Sequence, residues 1–175
     1  MENNQKNAVE IERKYIIKMP CEQILAEQLE YTKSEILQIY LPSSSGETHR
    51  IRRRRYIDKT VCTETRKIRI DRMSSTEIEG EISESRFSEL SEDILEGTRP
   101  ITKVRHTFVY GEQTFEIDVY PNWRNTAIME TELDSREKQV KIPSFIEILR
   151  EVTGDRAYSN AGMSRHFPEE DRLHL

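Results

Sequence analysis

The sequence is poor in cysteine and has no long apolar run. Only Cys21 and Cys62 occur among 175 residues, so we expect no disulfide framework, and two cysteines alone do not make a zinc site. No apolar segment approaches the length of a membrane span, and no signal-peptide pattern precedes Glu10. These absences predict a soluble, cytoplasmic protein with no membrane partner.

Basic excess and low-complexity tracts are also missing. The formal net charge is -5, whereas nucleic-acid-binding proteins usually carry a basic excess, so we expect no nucleic-acid partner. Charged residues make up 34% of the chain, a fraction at which disorder has to be considered. Clear strand periodicities argue for a folded chain instead. The length fits a single domain, 1–175, with its core over about residues 8–160.

Alternation of charged and apolar residues is the strongest positive signal. In the segment Glu10-Ile11-Glu12-Arg13-Lys14, the residues Glu10, Glu12 and Lys14 would share one face of a strand, because successive strand side chains point to opposite faces. Residues 1–8 are polar and are expected to be loose. Similar alternation predicts strands over residues 9–18, 35–41, 49–57, 60–70, 76–83, 101–110, 113–120 and 126–134.

Short helices are predicted between the strands. Apolar spacing predicts them near residues 20–29, over 84–95 and over 143–152, with Ser83 capping the second and Gly97 ending it. The pattern fades from Asp155 onward. We expect an all-β-dominated α+β fold, in which eight or so antiparallel strands curl into a β-barrel tunnel with the helices packed outside. The apolar residues available to cover the outer face are Leu25, Phe87, Leu90, Phe145 and Leu149.

The charged positions of the strands favour a wet interior. A single strand of this kind is most simply a half-solvated strand, but several of them in one barrel would line a common lumen. The basic positions are Lys14, Arg50, Arg52, Arg54, Lys67, Lys103 and Arg105. The acidic positions are Glu10, Glu12, Glu77, Glu79, Glu81, Glu116, Asp118, Glu130 and Glu132.

A lumen with both signs of charge suits a polyphosphate that binds together with Mg²⁺ or Mn²⁺. Arginine and lysine bind phosphate oxygens, and clustered carboxylates bind hard divalent cations. The run 52–55 could instead be a nucleic-acid patch or a localisation signal, but it lies inside a strand pattern flanked by acidic strands. The histidines show no metal-ligand spacing and are treated as incidental: His49, His106, His166 and His174.

An ordered series of motifs resembles the CYTH superfamily, also called triphosphate tunnel metalloenzymes. The segment 10–14 resembles the family's Glu-x-Glu-x-Lys signature, and the resemblance runs over nearly the whole chain. The other matching motifs, in order, are Arg50-Ile51-Arg52, Thr65-Arg66-Lys67, Glu77-Ile78-Glu79, Lys103-Val104-Arg105, Phe115-Glu116-Ile117-Asp118-Val119 and Glu130-Thr131-Glu132. The family's fold, an eight-stranded antiparallel tunnel, agrees with the one expected from the strand pattern.

The resemblance also implies roles for individual residues. It implies metal ligation by Glu10, Glu12, Asp118, Glu130 and Glu132, with Lys14, Glu12 and Arg52 acting most directly in catalysis. It implies phosphate binding by Lys14, Arg50, Arg52, Arg54, Lys67, Lys103 and Arg105. Ser159 stands where many relatives carry a lysine, and Arg156 is the nearby candidate to replace it. The roles of Glu77, Glu79, Glu81 and Glu116 stay unassigned.

The function expected from this resemblance is metal-dependent hydrolysis of a triphosphate, with inorganic tripolyphosphate as the leading substrate. Water would attack a terminal phosphorus while metal and basic side chains stabilise the charge. A thiamine triphosphatase and a class IV adenylate cyclase are the enzymatic alternatives, although no His-Phe pair of the cyclase type lies near Glu10. A non-catalytic polyphosphate- or nucleotide-binding module is the alternative of another class. The protein could be a monomer or a homodimer.

Overall fold

Eight antiparallel strands close into a ring in the computed structural model, which describes residues 6–170. Around the ring, β1 is followed by β5, β4, β3, β2, β6, β7 and β8, and β8 pairs with β1 again. The strands are β1 (Lys6–Lys18), β2 (Leu29–Leu41), β3 (Glu47–Arg55), β4 (Thr60–Arg69), β5 (Ser74–Ile82), β6 (Ile101–Tyr110), β7 (Gln113–Val119) and β8 (Thr126–Glu132).

The first strand closes the ring because its two halves have different partners. Its N-terminal half pairs with β5, where Glu10 lies opposite Ser75. Its C-terminal half pairs with β8, where Lys14 lies opposite Glu130. A ninth strand, β9 (Ile148–Glu151), pairs with β1 from residue 15 onward, along the edge that β5 leaves free.

Three short helices lie in the connections and at the C-terminal end. They are α1 (Glu22–Ala26), α2 (Glu84–Ser91) and α3 (Asn160–Arg165), and a 3₁₀ helix, Arg156–Tyr158, precedes the last. The Ser83 hydroxyl accepts from the Arg86 backbone N–H and caps α2, as predicted. No helix among residues 6–170 is long and apolar enough to cross a membrane.

The apolar residues form clusters outside the ring and one at the end of its interior. Outside, Phe87 of α2 packs on Ile39 and Ile51, and Leu25 of α1 joins a cluster with Phe108 and Phe115. The third cluster, here called the apolar plug, combines side chains of the inner face with the C-terminal segment. Its buried members are Ile16, Ile101, Tyr120, Trp123, Ile128, Val152, Tyr158 and Met163.

Some predicted elements are wrong. The helix over 143–152 does not form, because its second half bonds to the free edge of β1 as β9 and the edge hydrogen bonds prevail over helical spacing. The first helix ends at Ala26, so Leu29 opens β2 and is exposed rather than packed on a helix face. The segment after Asp155, where the pattern fades, contains helices. Of the segment expected to be loose, residues 1–5 lie outside the described residues, and β1 already begins at Lys6.

Candidate active site in the lumen of the ring

The predicted charged positions lie on the inner face of the ring. Directly paired residues of antiparallel strands share a face, and the register aligns Arg50 with Thr65 and Glu79, and Arg52 with Thr63. Ion pairs also join strands that are not neighbours: Lys67 on β4 reaches Glu10 on β1 at 3.2 Å, across the intervening β5. Such contacts form only on the concave side of the sheet.

One group of inner side chains is a compact ion-pair network centred on Arg105. Its guanidinium donates to both Asp118 oxygens at 2.6 and 2.7 Å, and it also bonds Glu116 and Glu130. Lys103 donates to the same Asp118 carboxylate at 2.5 Å, and Lys14 pairs with Glu130 at 2.8 Å. Asp118 and Lys103 are fully buried at the side chain. Both carboxylate oxygens of Asp118 are therefore engaged by basic groups.

The pKa shifts in this network follow from burial and pairing. Burial opposes the charged form of Glu130, but Lys14 and Arg105 hold the pKa of Glu130 well below its ordinary value. Lys14 is also buried, yet Glu130 and Glu12 raise the pKa of Lys14 above its ordinary value. Burial, together with repulsion by Arg105, lowers the pKa of Lys103 to about 8. Of Glu130, Lys14 and Lys103, only Lys103 lies in surroundings that on balance disfavour its charged form.

A second network lies where β3, β4 and β5 meet β1. Lys67 bonds Glu77 at 2.5 Å as well as Glu10, and Arg50 donates to Glu77 at 3.4 Å. The Thr65 hydroxyl donates to Glu79 at 2.6 Å. Burial raises the pKa of Glu77, but Arg50 and Lys67 outweigh it and lower the pKa below the ordinary value. Arg50 and Lys67 are thus compensated by carboxylates.

Two arginines on the inner face of β3 have no carboxylate partner among the described residues. Arg52 donates from Nε and a terminal nitrogen to the Gln38 side-chain oxygen, both at 3.3 Å. Arg54 donates to the hydroxyls of Ser34 and Thr107 at 2.8 and 3.3 Å. Burial and repulsion by Arg50 and Arg105 lower the pKa of Arg52 to about 10. Within residues 6–170 both guanidinium groups hydrogen-bond only to neutral acceptors, which leaves their charge available to an anion.

Arg52 and Arg54 line a cavity of about 320 Å³. Its wall also contains Thr63 on β4 and, on the next strand β5, Glu79 and Glu81. Glu81 is exposed and so marks the rim. The cavity gives an anion direct access to Arg52 and Arg54.

The remaining acidic side chains repel one another. Burial and the neighbouring Glu77 raise the pKa of Glu10 to about 7. Partial burial and repulsion by Glu116 and Glu12 raise the pKa of Glu132 as well. No three acidic, histidine or cysteine side chains within 6–170 converge closely enough to form a ready-made metal site. The donor chemistry still fits a hard divalent cation, because carboxylates of like charge are relieved by such an ion.

Arg156 is not brought to the lumen. It is exposed on the 3₁₀ helix, and among residues 6–170 it takes no part in the ion pairs described above. Asn160, the first residue of α3, reaches the inner residues instead, since its side-chain oxygen accepts from Lys103 at 3.3 Å and from Tyr120 at 3.0 Å. The sequence offers no signal for Asn160, because no periodic pattern extends into this region.

Neutral residues that hold the arginines also escape prediction from the sequence. Gln38 and Ser34 on β2 and Thr107 on β6 lie on the inner face, but an uncharged residue at an alternate position is indistinguishable from an ordinary strand residue. The available signal is their position at every second residue of the strand. Once the register is known, Ser34 lies opposite Arg105 and Gln38 lies opposite Arg52.

No protein-family model and no curated protein matches this sequence. Solved structures do share its fold. Two structures of the protein NE1496, one described as a hypothetical protein and the other as an inorganic triphosphatase, match with a TM-score of 0.59. They are 25% and 24% identical to this chain, and each match covers 91% of this chain and 99% or 96% of the other.

PH1819 from Pyrococcus horikoshii OT3 matches with a TM-score of 0.55 at 24% identity, over 73% of this chain and 80% of its own. The chain therefore has the tunnel fold that the sequence resemblance implies, and its structural neighbours include a protein described as a triphosphatase.

Proposed function

We propose that this protein is a divalent-metal-dependent triphosphatase whose substrate is inorganic tripolyphosphate. The observation that carries the proposal is the separation of charge in one lumen. Within residues 6–170, Arg52 and Arg54 lack carboxylate partners, whereas Glu10 and Glu132 repel their acidic neighbours. A polyanion bound together with a divalent cation relieves both imbalances. The description of NE1496 as an inorganic triphosphatase supports the same activity.

The side chains divide into three groups by what they contact. Arg52 and Arg54 bind phosphate oxygens first, because no carboxylate in the described part of the chain is bonded to them. Glu10, Glu12 and Glu132 would hold Mg²⁺ or Mn²⁺, which polarises a phosphoryl oxygen when bound. Asp118 and Glu130 serve to place the basic groups of the network centred on Arg105, because their oxygens are already bonded to these cations.

Phosphate release from tripolyphosphate, ATP and thiamine triphosphate tests the proposal, with magnesium or manganese and with a chelator. We expect metal-dependent release from tripolyphosphate and none after chelation. Release of pyrophosphate and cyclic AMP from ATP would identify a cyclase instead. Binding of tripolyphosphate without release under any metal would identify a binding module.

Glu132→Gln tests the acidic group directly. The substitution keeps the side-chain volume and removes one charge, so activity at limiting metal should fall sharply and excess metal should restore part of it. Glu35→Gln is the matched control, since Glu35 is exposed on the outer side of β2 and forms an ion pair with the exposed Arg55 at 3.5 Å, away from the lumen. Equal activity of the two variants at limiting metal would contradict the role of Glu132.

A further inference from the structure

One strand of the ring carries no charge on its inner face. Between residues 32 and 40, the inner positions of β2 are Thr32, Ser34, Ile36, Gln38 and Tyr40. The described inner faces of the other seven strands each carry at least one charged side chain. This neutral strand lies between β3 and β6, whose inner faces are basic.

Gln38 is the residue through which β2 meets Arg52. It is fully buried and lies directly opposite Arg52 in the ladder. Its side-chain oxygen accepts two hydrogen bonds from the Arg52 guanidinium, the ones that this group makes within residues 6–170. Gln38 thus fixes the direction of the guanidinium with an acceptor that has no charge.

The orientation of the Gln38 amide is determined by its neighbours. Arginine can only donate hydrogen bonds, so the amide oxygen has to face Arg52. The amide nitrogen then donates to the Tyr40 hydroxyl at 2.7 Å. Tyr40 is buried too, so both ends of the amide are occupied and the acceptor is held in place.

Arg50 and Arg105 on the same inner face are held differently. Arg105 bonds three carboxylates and Arg50 bonds one, so their charges are compensated inside the protein. A carboxylate makes a stronger hydrogen bond to arginine than an amide does, and it competes with phosphate for the same donors. An amide at position 38 orients the Arg52 guanidinium and leaves its positive charge available to a ligand.

We propose that Gln38 is a positioning and affinity-determining residue of the phosphate site, which keeps Arg52 oriented but uncompensated. The inference rests on the proposed function and deepens it by explaining how Arg52, one of the two arginines that receive phosphate, keeps its charge available. It predicts that a negative charge at position 38 harms binding more than removal of the amide does.

Calorimetric binding of tripolyphosphate in the presence of a chelator tests this inference without turnover. Gln38→Glu keeps the side-chain length and pairs with Arg52, so the Kd should rise about tenfold or more. Gln38→Met leaves Arg52 charged but without its acceptor, so its Kd should rise less. The melting temperature of Gln38→Glu should stay level or increase, because a buried cation gains a partner. Loss of affinity without loss of stability distinguishes positioning from a structural role.

Gln113→Glu is the matched control. Gln113 is a buried glutamine on the outer side of β7 that bonds the backbone of Gln139 and Lys141, so its substitution should leave the Kd unchanged. Equal Kd values for wild type and Gln38→Glu would overturn the inference, as would equal losses in Gln38→Glu and Gln38→Met. If Gln38→Glu does not fold, an unchanged Kd in Gln38→Met overturns it and a raised Kd supports it.

The two proposals fail in different ways. Binding of tripolyphosphate without hydrolysis overturns the enzymatic activity alone, because the comparison of Kd values needs no turnover. A wild-type protein that binds no tripolyphosphate in the presence of a chelator overturns the inference about Gln38, and one that also releases no phosphate with metal overturns both.

Discussion

Arg52 and Arg53 are neighbours in the sequence but face opposite sides of β3. Arg52 lies on the inner face and bonds Gln38. Arg53 lies on the outer face, where its guanidinium is 5.3 Å from the centroid of the Phe87 ring. The side-chain period of a strand therefore assigns different surroundings to two identical residues.

Alanine substitution of each arginine should have different effects, on catalysis for Arg52 and on stability for Arg53. Arg52→Ala should weaken kcat/KM for tripolyphosphate by roughly 1.5–3 kcal/mol, the range for losing a charge-assisted hydrogen bond. Arg53→Ala should leave the kinetics unchanged and cost stability of about 0.5–1 kcal/mol through the lost cation–π contact. Steady-state kinetics and urea unfolding measure the two effects. The opposite ranking in the kinetics would mean that the register of β3 is wrong.

The alternation of side chains along a strand explains how much of the site is predictable at the residue scale. The charged inner positions can be read from the sequence, because alternation within a strand fixes which residues share a face. Their partners cannot, because pairing depends on the register between strands distant in sequence. Arg105 and Glu130, which meet at 3.1 Å, lie 25 residues apart on strands that are not neighbours. Gln38 and Asn160 carry no charge pattern at all.

At the scale of elements, strands were easier to predict than the segments around them. The hairpin of β6 and β7 was predicted correctly, since its alternation is strong and Gly111-Glu112 forms the turn. The helix predicted over 143–152 was wrong because its residues complete an edge of β1 that no local pattern reveals. Local periodicity therefore predicts an element only where no distant edge competes for its backbone.

The turn between β4 and β5 holds the segment that follows β9. Arg69 donates to the Gly154 carbonyl oxygen at 2.9 Å, and Arg72 donates to the Thr153 carbonyl oxygen at 3.0 Å. Val152, just before these residues, belongs to the apolar plug. These two hydrogen bonds, from Arg69 to Gly154 and from Arg72 to Thr153, are here called the latch. The latch holds the C-terminal segment against the end of the ring.

Gly154→Ala should break the latch. Gly154 has a φ of +73°, and an added Cβ would lie 2.1 Å from Arg72 Cγ and 2.6 Å from the Arg72 carbonyl oxygen. Positive φ and the clash with backbone together should cost at least about 2 kcal/mol in the free energy of unfolding, measured with urea. Gly80→Ala on β5 is the control, since an added Cβ meets nothing within 4 Å there. Equal stability of the two variants would show that the close approach at Gly154 is not present in solution.

For the whole molecule, ring closure confines opposite charges that would otherwise be solvated. Most basic groups pair with carboxylates across the lumen. The acidic residues near the N-terminal half of β1, in contrast, are not fully neutralised by basic groups. Burial and Glu77 raise the pKa of Glu10 from 4.5 to about 7. The folded state then binds this proton more tightly than the unfolded chain does. The contribution of Glu10 to stability is therefore present below about pH 4.5 and is lost as the pH rises towards 7.

Ligands that bind only the closed ring should recover this loss by mass action. Magnesium with tripolyphosphate should raise the melting temperature more than either alone, because the cation relieves the carboxylates and the anion relieves Arg52 and Arg54. The combined shift should be larger at pH 8 than at pH 6, since at pH 6 the metal has to displace the proton of Glu10. Thermal-shift measurements at both pH values test this, with single-stranded DNA as the competing ligand. A nucleic-acid patch over 52–55 would respond to DNA without metal. A large shift with DNA and none with magnesium and tripolyphosphate would refute a triphosphate site in this lumen.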